Sequence, residues 1–268
     1  MTAASVGRLW QYPVKSMQGS EVGEILLETS GVAGDRAYGF VDVETGQLAS
    51  AKDSKRFGAL LDCHAKFLTP PTNGGLPPPI EVTVPDGRVV RSDDDDGAEM
   101  TRRVSEFLGR QVRLVTADPD ALGFVDLAQV HALATSTLRR LQELHPGGNW
   151  EPRRMRPNIL VDDGDQLETE DDWLGCDLHL GEQAVVHLVV PTPRCVMTTS
   201  SQPGLPKDAA VLKTIARFGL KELPMFGQSA CAGWYADIVR SGIVRRGDPI
   251  RVQRVQPRKG ALAATIDL

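Results

Sequence analysis

The sequence predicts a mainly β protein of the α+β class. The chain of 268 residues carries 26 glycines and 18 prolines, and this content favours many short elements joined by turns over long helices. Short apolar runs alternate with turn residues through the first hundred positions, as in a sheet or barrel. Helical spacing of apolar residues appears only in brief segments. A chain of this length can bury a core without disulfides.

The apolar runs of the first part predict strands at VGRLW, EILLET, AYGFVDV, ALLDCHAKFL, IEVTVP and RVV. Asp86 and Gly87 mark the centre of a hairpin turn between the last two of these strands. Apolar residues at helical spacing between Met100 and Leu108 then predict a helix that ends at Gly109, before the strand VRLVT. We place a soft domain boundary near residues 116–120, which gives an N-terminal β-barrel-like domain over residues 1–116.

The second part, residues 117–256, contains a predicted helix at Leu138–Leu144, which one of the hydroxyl residues 135–137 caps and PGG ends. Strands follow at RPNILV, at 184–190, at CAGWYADIV and at DPIRVQRV, with a last helix over about 208–218. Residues 257–268 form a tail. The aspartate run 93–96 and the acidic loop 162–172 lack the spacing of a calcium loop, so we interpret both as solvated turns.

Composition and charge exclude several classes of function. A net charge of -5 argues against a general nucleic-acid binder, although a small basic pocket is compatible with it. No stretch approaches the roughly 20 apolar residues that span a bilayer, and the N-terminus lacks a signal core, so we expect a cytoplasmic protein without membrane contact. The four cysteines and five histidines show no spacing typical of zinc or iron–sulfur sites.

Three places in the chain carry side chains suited to an anion or a soft metal. Cys195 follows Arg194, and a neighbouring guanidinium favours the thiolate, although a buried structural cysteine is the commoner case for an isolated residue. Lys15 and Ser16 offer an ammonium and a hydroxyl to one anion, or belong to a solvated loop. Arg36 follows a turn that contains two glycines. Its guanidinium either points inward or pairs with Asp35 at the surface.

A fourth place is the start of the strand RPNILV. Because alternate strand residues point to the same face, we expect Arg156 and Asn158 to lie together, where they would serve an anion and a heterocycle. A run of exposed arginines is the alternative interpretation. For Trp10, Trp173 and Trp234 we expect packing in the core or at its rim rather than a pocket wall.

These signals occur in a recognisable order: YPVKS, GDR, RPN, and RC within PTPRCVMTT. The series resembles the MOSC family, and in particular its two-part members, which include bacterial and mitochondrial amidoxime-reducing molybdenum enzymes. The similarity runs from about Val6 to Gln256 and includes FGQ at 226–228 and GDP at 247–249. The resemblance implies an N-terminal β-barrel domain followed by a MOSC β-barrel domain with a few short helices.

The resemblance also implies a molybdenum–molybdopterin cofactor between the two domains. Cys195 corresponds to the family cysteine that ligates the molybdenum, and it is our candidate catalytic residue and metal ligand. The residues that correspond to those holding the pterin and its phosphate are Lys15, Ser16, Arg36, Arg156, Asn158 and Arg194. We add Ser229 to this set; it follows FGQ where mitochondrial relatives carry a tyrosine. Pro193 departs from the small polar residue common in the family and lacks a backbone donor.

The function implied by the resemblance is an oxidoreductase that removes oxygen from small N-hydroxylated or N-oxide substrates. Its electrons would come from a separate ferredoxin, flavodoxin or reductase, since the chain lacks the four cysteines of an appended ferredoxin-like domain. The first alternative is a non-catalytic carrier of the molybdenum cofactor. The second is a sulfur carrier with a persulfide on Cys195. Pyridoxal phosphate binding is attached to the family as a whole, but this sequence contains no pyridoxal-phosphate desulfurase domain.

Overall fold

A computed structural model describes residues 4–72, 74–118, 123–164, 169–256, 260 and 262. Its strands, in chain order, are β1 (Ser5–Gln11), β2 (Ser20–Val22), β3 (Glu24–Glu28), β4 (Gly31–Val32), β5 (Tyr38–Asp42), β6 (His64–Phe67), β7 (Ile80–Thr83), β8 (Val89–Arg91), β9 (Val112–Thr116), β10 (Val130–Ala134), β11 (Ile159–Asp162), β12 (Cys176–Leu180), β13 (Ala184–Pro193), β14 (Leu220–Leu223), β15 (Gly227–Arg240), β16 (Gly242–Arg245) and β17 (Ile250–Arg254). The helices are α1 (Ser54–Phe57), α2 (Ala98–Leu108), α3 (Thr135–Leu144), α4 (Thr169–Asp172) and α5 (Ala210–Gly219).

The largest sheet has nine strands in the order β17-β12-β13-β15-β10-β11-β1-β2, with β14 paired to β15. Strand β1 runs antiparallel to β11, and β3 runs antiparallel to β16, so strands from both ends of the chain share sheets. Two smaller groups, β5-β9 and β6-β7-β8, complete the first part. The predicted mainly β, α+β class is confirmed, with sheets that stay open over the described residues. The division near residue 116 stays a prediction.

Two apolar clusters pack against these sheets. One lies against the large sheet and includes Leu9, Ile159 and Trp234. The other lies beneath β5 to β9 and includes Phe40 and Val104. The rings of Trp173 and Trp234 stack 6.1 Å apart at 7° within the core, and Trp10 is also buried. The expected core packing of the tryptophans is confirmed.

Several predicted elements are confirmed at residue level. Helix α2 ends at Leu108, and Gly109 takes the left-handed conformation (φ 63°) that a helix C-terminus favours. Strands β7 and β8 form the predicted hairpin, with Gly87 at φ 85°. The run ALLDCHAKFL differs from the prediction, because 58–62 form a 3-10 turn and the strand begins at His64. Asn73, residues 119–122, which include the last two positions of the boundary, and most of the predicted tail lie outside the described residues.

Two predictions about polar residues are wrong. The N-cap of α3 is Ala134, which has no side chain to cap; instead Asp163 accepts from the Ser136 backbone N–H at 2.9 Å. Within the acidic loop, whose residues 165–168 lie outside the described part, Glu170 is not a solvated surface group. Its Oε1 accepts from the Thr137 hydroxyl at 2.6 Å and from the Gly233 N–H at 2.7 Å, and burial raises its pKa to about 7.

Over the same described residues, no helix combines the length and apolar character that crossing a membrane requires.

Candidate cofactor-binding cleft

One cleft brings together seven of the eight predicted site residues. Its lining includes Lys15, Ser16, Arg36, Arg156, Asn158, Arg194 and Cys195. The first three come from the segments after β1 and before β5, and the others come from the second half of the chain. Five lining side chains are basic, counting Arg154 with the four named above, and one, Asp126, is acidic. The cleft is therefore cationic although the whole chain is acidic.

Three of the predicted cofactor-binding residues have unusual backbone conformations. Ser16, Arg36 and Arg156 adopt φ values of 70°, 50° and 54°. The other positive-φ residues that are not glycine, over the described chain, are Asp95 and Asp96 in an exposed turn. Each such conformation costs about 1–3 kcal/mol and persists only where the surroundings enforce it, commonly at functional sites. The strain concentrates at this cleft.

The conformation of Arg156 corrects one sequence prediction. Strand β11 begins at Ile159, so Arg156 and Asn158 precede the strand, and the expected alternation along a strand face is wrong. The two side chains both line the cleft for another reason. The left-handed turn at Arg156 redirects the chain, and the Asn158 carbonyl accepts from the Trp10 N–H on β1 at 2.9 Å.

Tyr12 lies between two guanidinium groups. The Cζ atoms of Arg36 and Arg156 lie 4.5 and 4.4 Å from the centre of its ring. Arg36 pairs with the carboxylate of Asp35, whereas the Arg156 Nη1 donates to the Met17 carbonyl at 2.7 Å. Burial, and next the charge of Arg36, lower the pKa of Arg156 to about 10. Keeping Arg156 charged in this cleft therefore costs free energy. A bound anion would offset that cost.

Unsatisfied donors supply the test of whether this cleft suits a phosphate-bearing cofactor. Three buried nitrogens of the cleft, the Nη2 of Arg156, the Nδ2 of Asn158 and the Nε of Arg194, have no hydrogen-bond partner among the described residues. A buried donor without a partner costs about 1–3 kcal/mol, more where the group is charged. All three are donors and all three line one cationic cleft, so they fit a phosphate and a heterocyclic acceptor.

Lys15 and Ser16 already have partners in the protein. The Lys15 Nζ donates to the Phe124 carbonyl at 2.7 Å and to Asp126 at 2.9 Å. Burial lowers the pKa of Lys15. Burial alone would raise the pKa of Asp126, but Lys15 and Lys52 hold it down to about 2. The Ser16 hydroxyl accepts from the Ala51 N–H at 3.0 Å.

The sequence interpretation missed His131, which contacts three of the predicted cofactor-binding residues. Its backbone N–H donates to the Asn158 Oδ1 at 3.2 Å. Its Nδ1 lies 3.3 Å from the Arg156 carbonyl, and its Nε2 lies 3.3 Å from the Arg194 Nη1. Burial and the charge of Arg194 keep its pKa well below the usual value, so the ring is neutral. With the proton on Nδ1, the ring donates a hydrogen bond to the Arg156 carbonyl and accepts one at Nε2 from the Arg194 guanidinium.

Cys195 is the accessible thiol among the four cysteines. It is half-buried at the start of a 3-10 turn, where its carbonyl accepts from the Thr198 hydroxyl at 2.9 Å. Cys63, Cys176 and Cys231 are buried. Burial raises the pKa of Cys63 to about 12 and that of Cys231 to about 11. Of the four thiols, Cys195 is therefore the one suited to ligate a metal or react.

Ser229 lies apart from the others. It pairs with Lys221 across β14 and β15, and its hydroxyl lies 3.5 Å from the Phe226 carbonyl. It is not among the described residues that line the cleft. Ser229 belongs to a hairpin next to the cleft, and its assignment to cofactor binding stays a prediction that this placement does not favour.

Fold and site together define a β-rich protein with a preformed cationic cleft beside one accessible thiol. The family model of the MOSC domain matches residues 119–251, and the model of the MOSC N-terminal beta barrel domain matches residues 3–66. The chain therefore belongs to the MOSC family in its two-part form.

Curated relatives are similar over most of their length. The chain is 24% identical to mitochondrial amidoxime-reducing component 1 of Mus musculus, over 92% of this chain and 81% of that protein. It is 23% identical to mitochondrial amidoxime reducing component 2 of Rattus norvegicus, over 92% and 82%. Among solved structures, the YUAD protein from Bacillus subtilis matches with 13% identity and a TM-score of 0.48, over 95% of this chain and 98% of that one.

The family and these relatives support a molybdenum-cofactor-related function for this chain. Neither pyridoxal phosphate binding nor a cytoplasmic location receives support from the same matches.

Proposed function

We propose that this chain is a molybdenum-cofactor-dependent oxidoreductase that reduces N-hydroxylated or N-oxide compounds with electrons from a separate protein. One observation carries the proposal: three buried donors that find no hydrogen-bond partner in the described part of the chain share one cationic cleft with the accessible thiol of Cys195. The amidoxime-reducing relatives supply the class of reaction. A ferredoxin, flavodoxin or reductase would serve as the electron donor.

Each residue of the cleft has a role that suits its chemistry. Arg156 and Arg194 would hold the phosphate, since a guanidinium offers several charged donors in fixed directions. Asn158 would donate to the pterin. The thiolate of Cys195 would complete a soft ligand set around the molybdenum. When bound, the cofactor supplies the two-electron chemistry of oxygen removal.

The surrounding residues keep these groups in position before any ligand arrives. His131 accepts from the Arg194 guanidinium and contacts the Arg156 carbonyl, so two phosphate-binding groups share one support. Asp126 retains the charge of Lys15 in a site where burial opposes it. Donors held in place by the fold need little reorganisation on binding, which favours affinity.

The test compares Cys195→Ala with Cys176→Ala, which removes a buried thiol outside the cleft. Each protein is loaded with cofactor, analysed for molybdenum, and assayed with a reduced dye and an amidoxime. We expect Cys195→Ala to lose reduction and most of its molybdenum, and Cys176→Ala to keep both. Retention of both by Cys195→Ala would overturn the proposal.

Two other outcomes would replace this function with one of its alternatives. Bound molybdenum without reduction of any N-oxygenated compound would identify a cofactor carrier. A mass increase of one sulfur atom on Cys195, in protein without molybdenum, would identify a persulfide carrier.

A further inference from the structure

The aromatic residue of the YPVKS motif, Tyr12, is buried beside the cationic cleft. Its side chain is 2% exposed and belongs to an apolar cluster that includes Trp10 and Leu133. Tyr12 is not among the described residues that line the cleft. Two guanidinium groups that do line the cleft nevertheless lie against its ring. Tyr12 can therefore act on a ligand in the cleft through Arg36 and Arg156.

Arg36 and Arg156 carry like charges at short range. Their Cζ atoms lie 4.5 and 4.4 Å from the centre of the Tyr12 ring, so the two charges are at most about 9 Å apart and repel each other. Arg36 pairs with the carboxylate of Asp35, whereas no carboxylate of the described chain forms an ion pair with Arg156. The face of an aromatic ring attracts a cation. The Tyr12 ring therefore supplies part of what keeps the Arg156 guanidinium in place.

The backbone of Tyr12 fixes the position of Arg36 relative to the ring. The Tyr12 carbonyl accepts from the Arg36 N–H at 2.6 Å. The Tyr12 N–H donates to Asp35 at 3.3 Å, and the same carboxylate pairs with the Arg36 side chain. The Arg36 Nη2 in turn lies 3.5 Å from the Arg156 carbonyl. The two arginines are thus joined to each other and to the same ring.

The hydroxyl of Tyr12 adds nothing to this arrangement. It is buried and has no hydrogen-bond partner among the described residues. Burial raises the pKa of Tyr12 to about 12, so the phenol is neutral at ordinary pH. A buried hydroxyl without a partner destabilises the folded state. The useful part of this side chain is therefore the aromatic face, which phenylalanine would also provide.

We propose that Tyr12 is a positioning residue of the anion site, and that its ring holds the Arg156 guanidinium where the Nη2 of Arg156 can donate to a phosphate. The proposal rests on the proposed function in taking the cleft as a phosphate-binding site. This Nη2 is buried and finds no partner in the part of the chain that the structure describes. A guanidinium that lies over a ring keeps its edge free for hydrogen bonds in its own plane. Without the ring, the Arg156 side chain gains rotamers, and ordering them again on binding lowers the affinity for an anion.

The test measures binding of inorganic phosphate to the cofactor-free protein by titration calorimetry. The variants are Tyr12→Leu and Tyr12→Phe, and the matched control is Trp10→Leu. Trp10 is a buried aromatic residue of the same cluster, and the Cζ of Arg8 lies 4.5 Å from its ring, but Arg8 is not among the residues that line the cleft.

We expect Tyr12→Leu to weaken phosphate binding about tenfold. Tyr12→Phe and Trp10→Leu should stay within about threefold of the wild type, although Trp10→Leu also loses a buried ring. Urea unfolding shows which variants are folded under the assay conditions. If Tyr12→Leu is unfolded, Tyr12→Met takes its place with the same expectation, because its longer apolar side chain fills more of the vacated space.

A double substitution separates positioning from general damage to the core. In the Arg156→Gln background, Tyr12→Leu should weaken phosphate binding by less than about twofold, because the group through which the ring acts is already gone. A further tenfold loss in this background would overturn the proposal. Equal losses in Tyr12→Leu and Trp10→Leu, or in Tyr12→Leu and Tyr12→Phe, would also overturn it.

The outcome for the wild-type protein distinguishes this proposal from the proposed function. A wild-type protein that binds no phosphate would refute the positioning role. A wild-type protein that binds phosphate with the expected pattern among the variants, but reduces no N-oxygenated compound when loaded with cofactor, would support the positioning role and count against the proposed function.

Discussion

Replacement of Arg156 by glutamine tests whether this cleft is built for an anion that the protein itself does not supply. The fall of the Arg156 pKa from 12.5 to about 10 corresponds to about 3 kcal/mol against the charged form, at 1.36 kcal/mol per pKa unit. Because the folded pKa lies below the unfolded one, this penalty is fully present at any pH below about 10 and fades between 10 and 12.5.

Arg156→Gln removes this penalty together with two favourable contacts. The charged hydrogen bond to the Met17 carbonyl stabilises by about 2 kcal/mol, and the contact with the Tyr12 ring by about 1 kcal/mol. The penalty that the variant removes and the two contacts that it loses nearly cancel in the free energy of unfolding. We expect the free energy of unfolding of the ligand-free protein to change by less than about 1 kcal/mol.

Arg154→Gln is the matched control. Arg154 is also buried and lines the same cleft, but its guanidinium donates to the carbonyls of Asn149, Thr198, Ser200 and Pro206. Its removal leaves four carbonyls without a donor, so we expect a loss of at least about 3 kcal/mol. The two arginines stand two positions apart in the sequence, yet only the replacement of Arg154 should destabilise the ligand-free protein strongly.

The assay is urea unfolding of both variants and of the wild-type protein, with inorganic phosphate or with chloride at equal ionic strength. Phosphate should stabilise the wild-type protein by mass action and stabilise Arg156→Gln much less. A loss of about 3 kcal/mol in ligand-free Arg156→Gln, or equal stabilisation of variant and wild type by phosphate, would refute the reasoning.

Three further predictions concern single side chains. His131→Gln keeps a polar group near the Nε2 position, so its affinity for phosphate should stay within about threefold of the wild type. His131→Asn should lose about tenfold in affinity, as titration calorimetry would show. Equal losses in the two variants would contradict a role of His131 in positioning Arg194. Burial raises the pKa of Glu170 from 4.5 to about 7, so its contribution is complete below pH 4.5 and lost as the pH rises through 7. Glu170→Gln should abolish up to about 3 kcal/mol of this pH dependence in urea unfolding, and an unchanged slope would count against it. Iodoacetamide should modify native ligand-free protein at Cys195 alone, as peptide mass spectrometry would show; labelling of a buried cysteine would contradict the assignment.

Much of the fold could be predicted because its signals are local. Periodicity and a terminal glycine predict the C-terminal end of α2 to within a residue, and Asp86-Gly87 predicts the hairpin between β7 and β8. The motif series likewise selected seven residues that line one cleft. These motifs are informative because each combines a turn with a donor side chain.

The rest depends on contacts between distant segments. A residue before proline favours extended backbone, yet Arg156 precedes Pro157 and takes φ 54°, because tertiary contacts override the local preference. His131 lies in an apolar strand without a motif, so only its neighbours in space reveal its role. Ser229 follows a motif of the series but lies on a hairpin outside the cleft, since adjacency in sequence does not determine which face of a strand a side chain occupies.

The pairing of β1 with β11 and of β3 with β16 sets an order of events during synthesis. The segment that bears Lys15 and Ser16 leaves the ribosome early, but β11 and β16 lie at residues 159–162 and 242–245, so the strands that pair with β1 and β3 are synthesised much later. Contacts of such long sequence separation form slowly, because loop closure must come first. The cleft is therefore assembled only after residues of both halves have been synthesised, and the segment with Lys15 and Ser16 alone offers an anion no complete site.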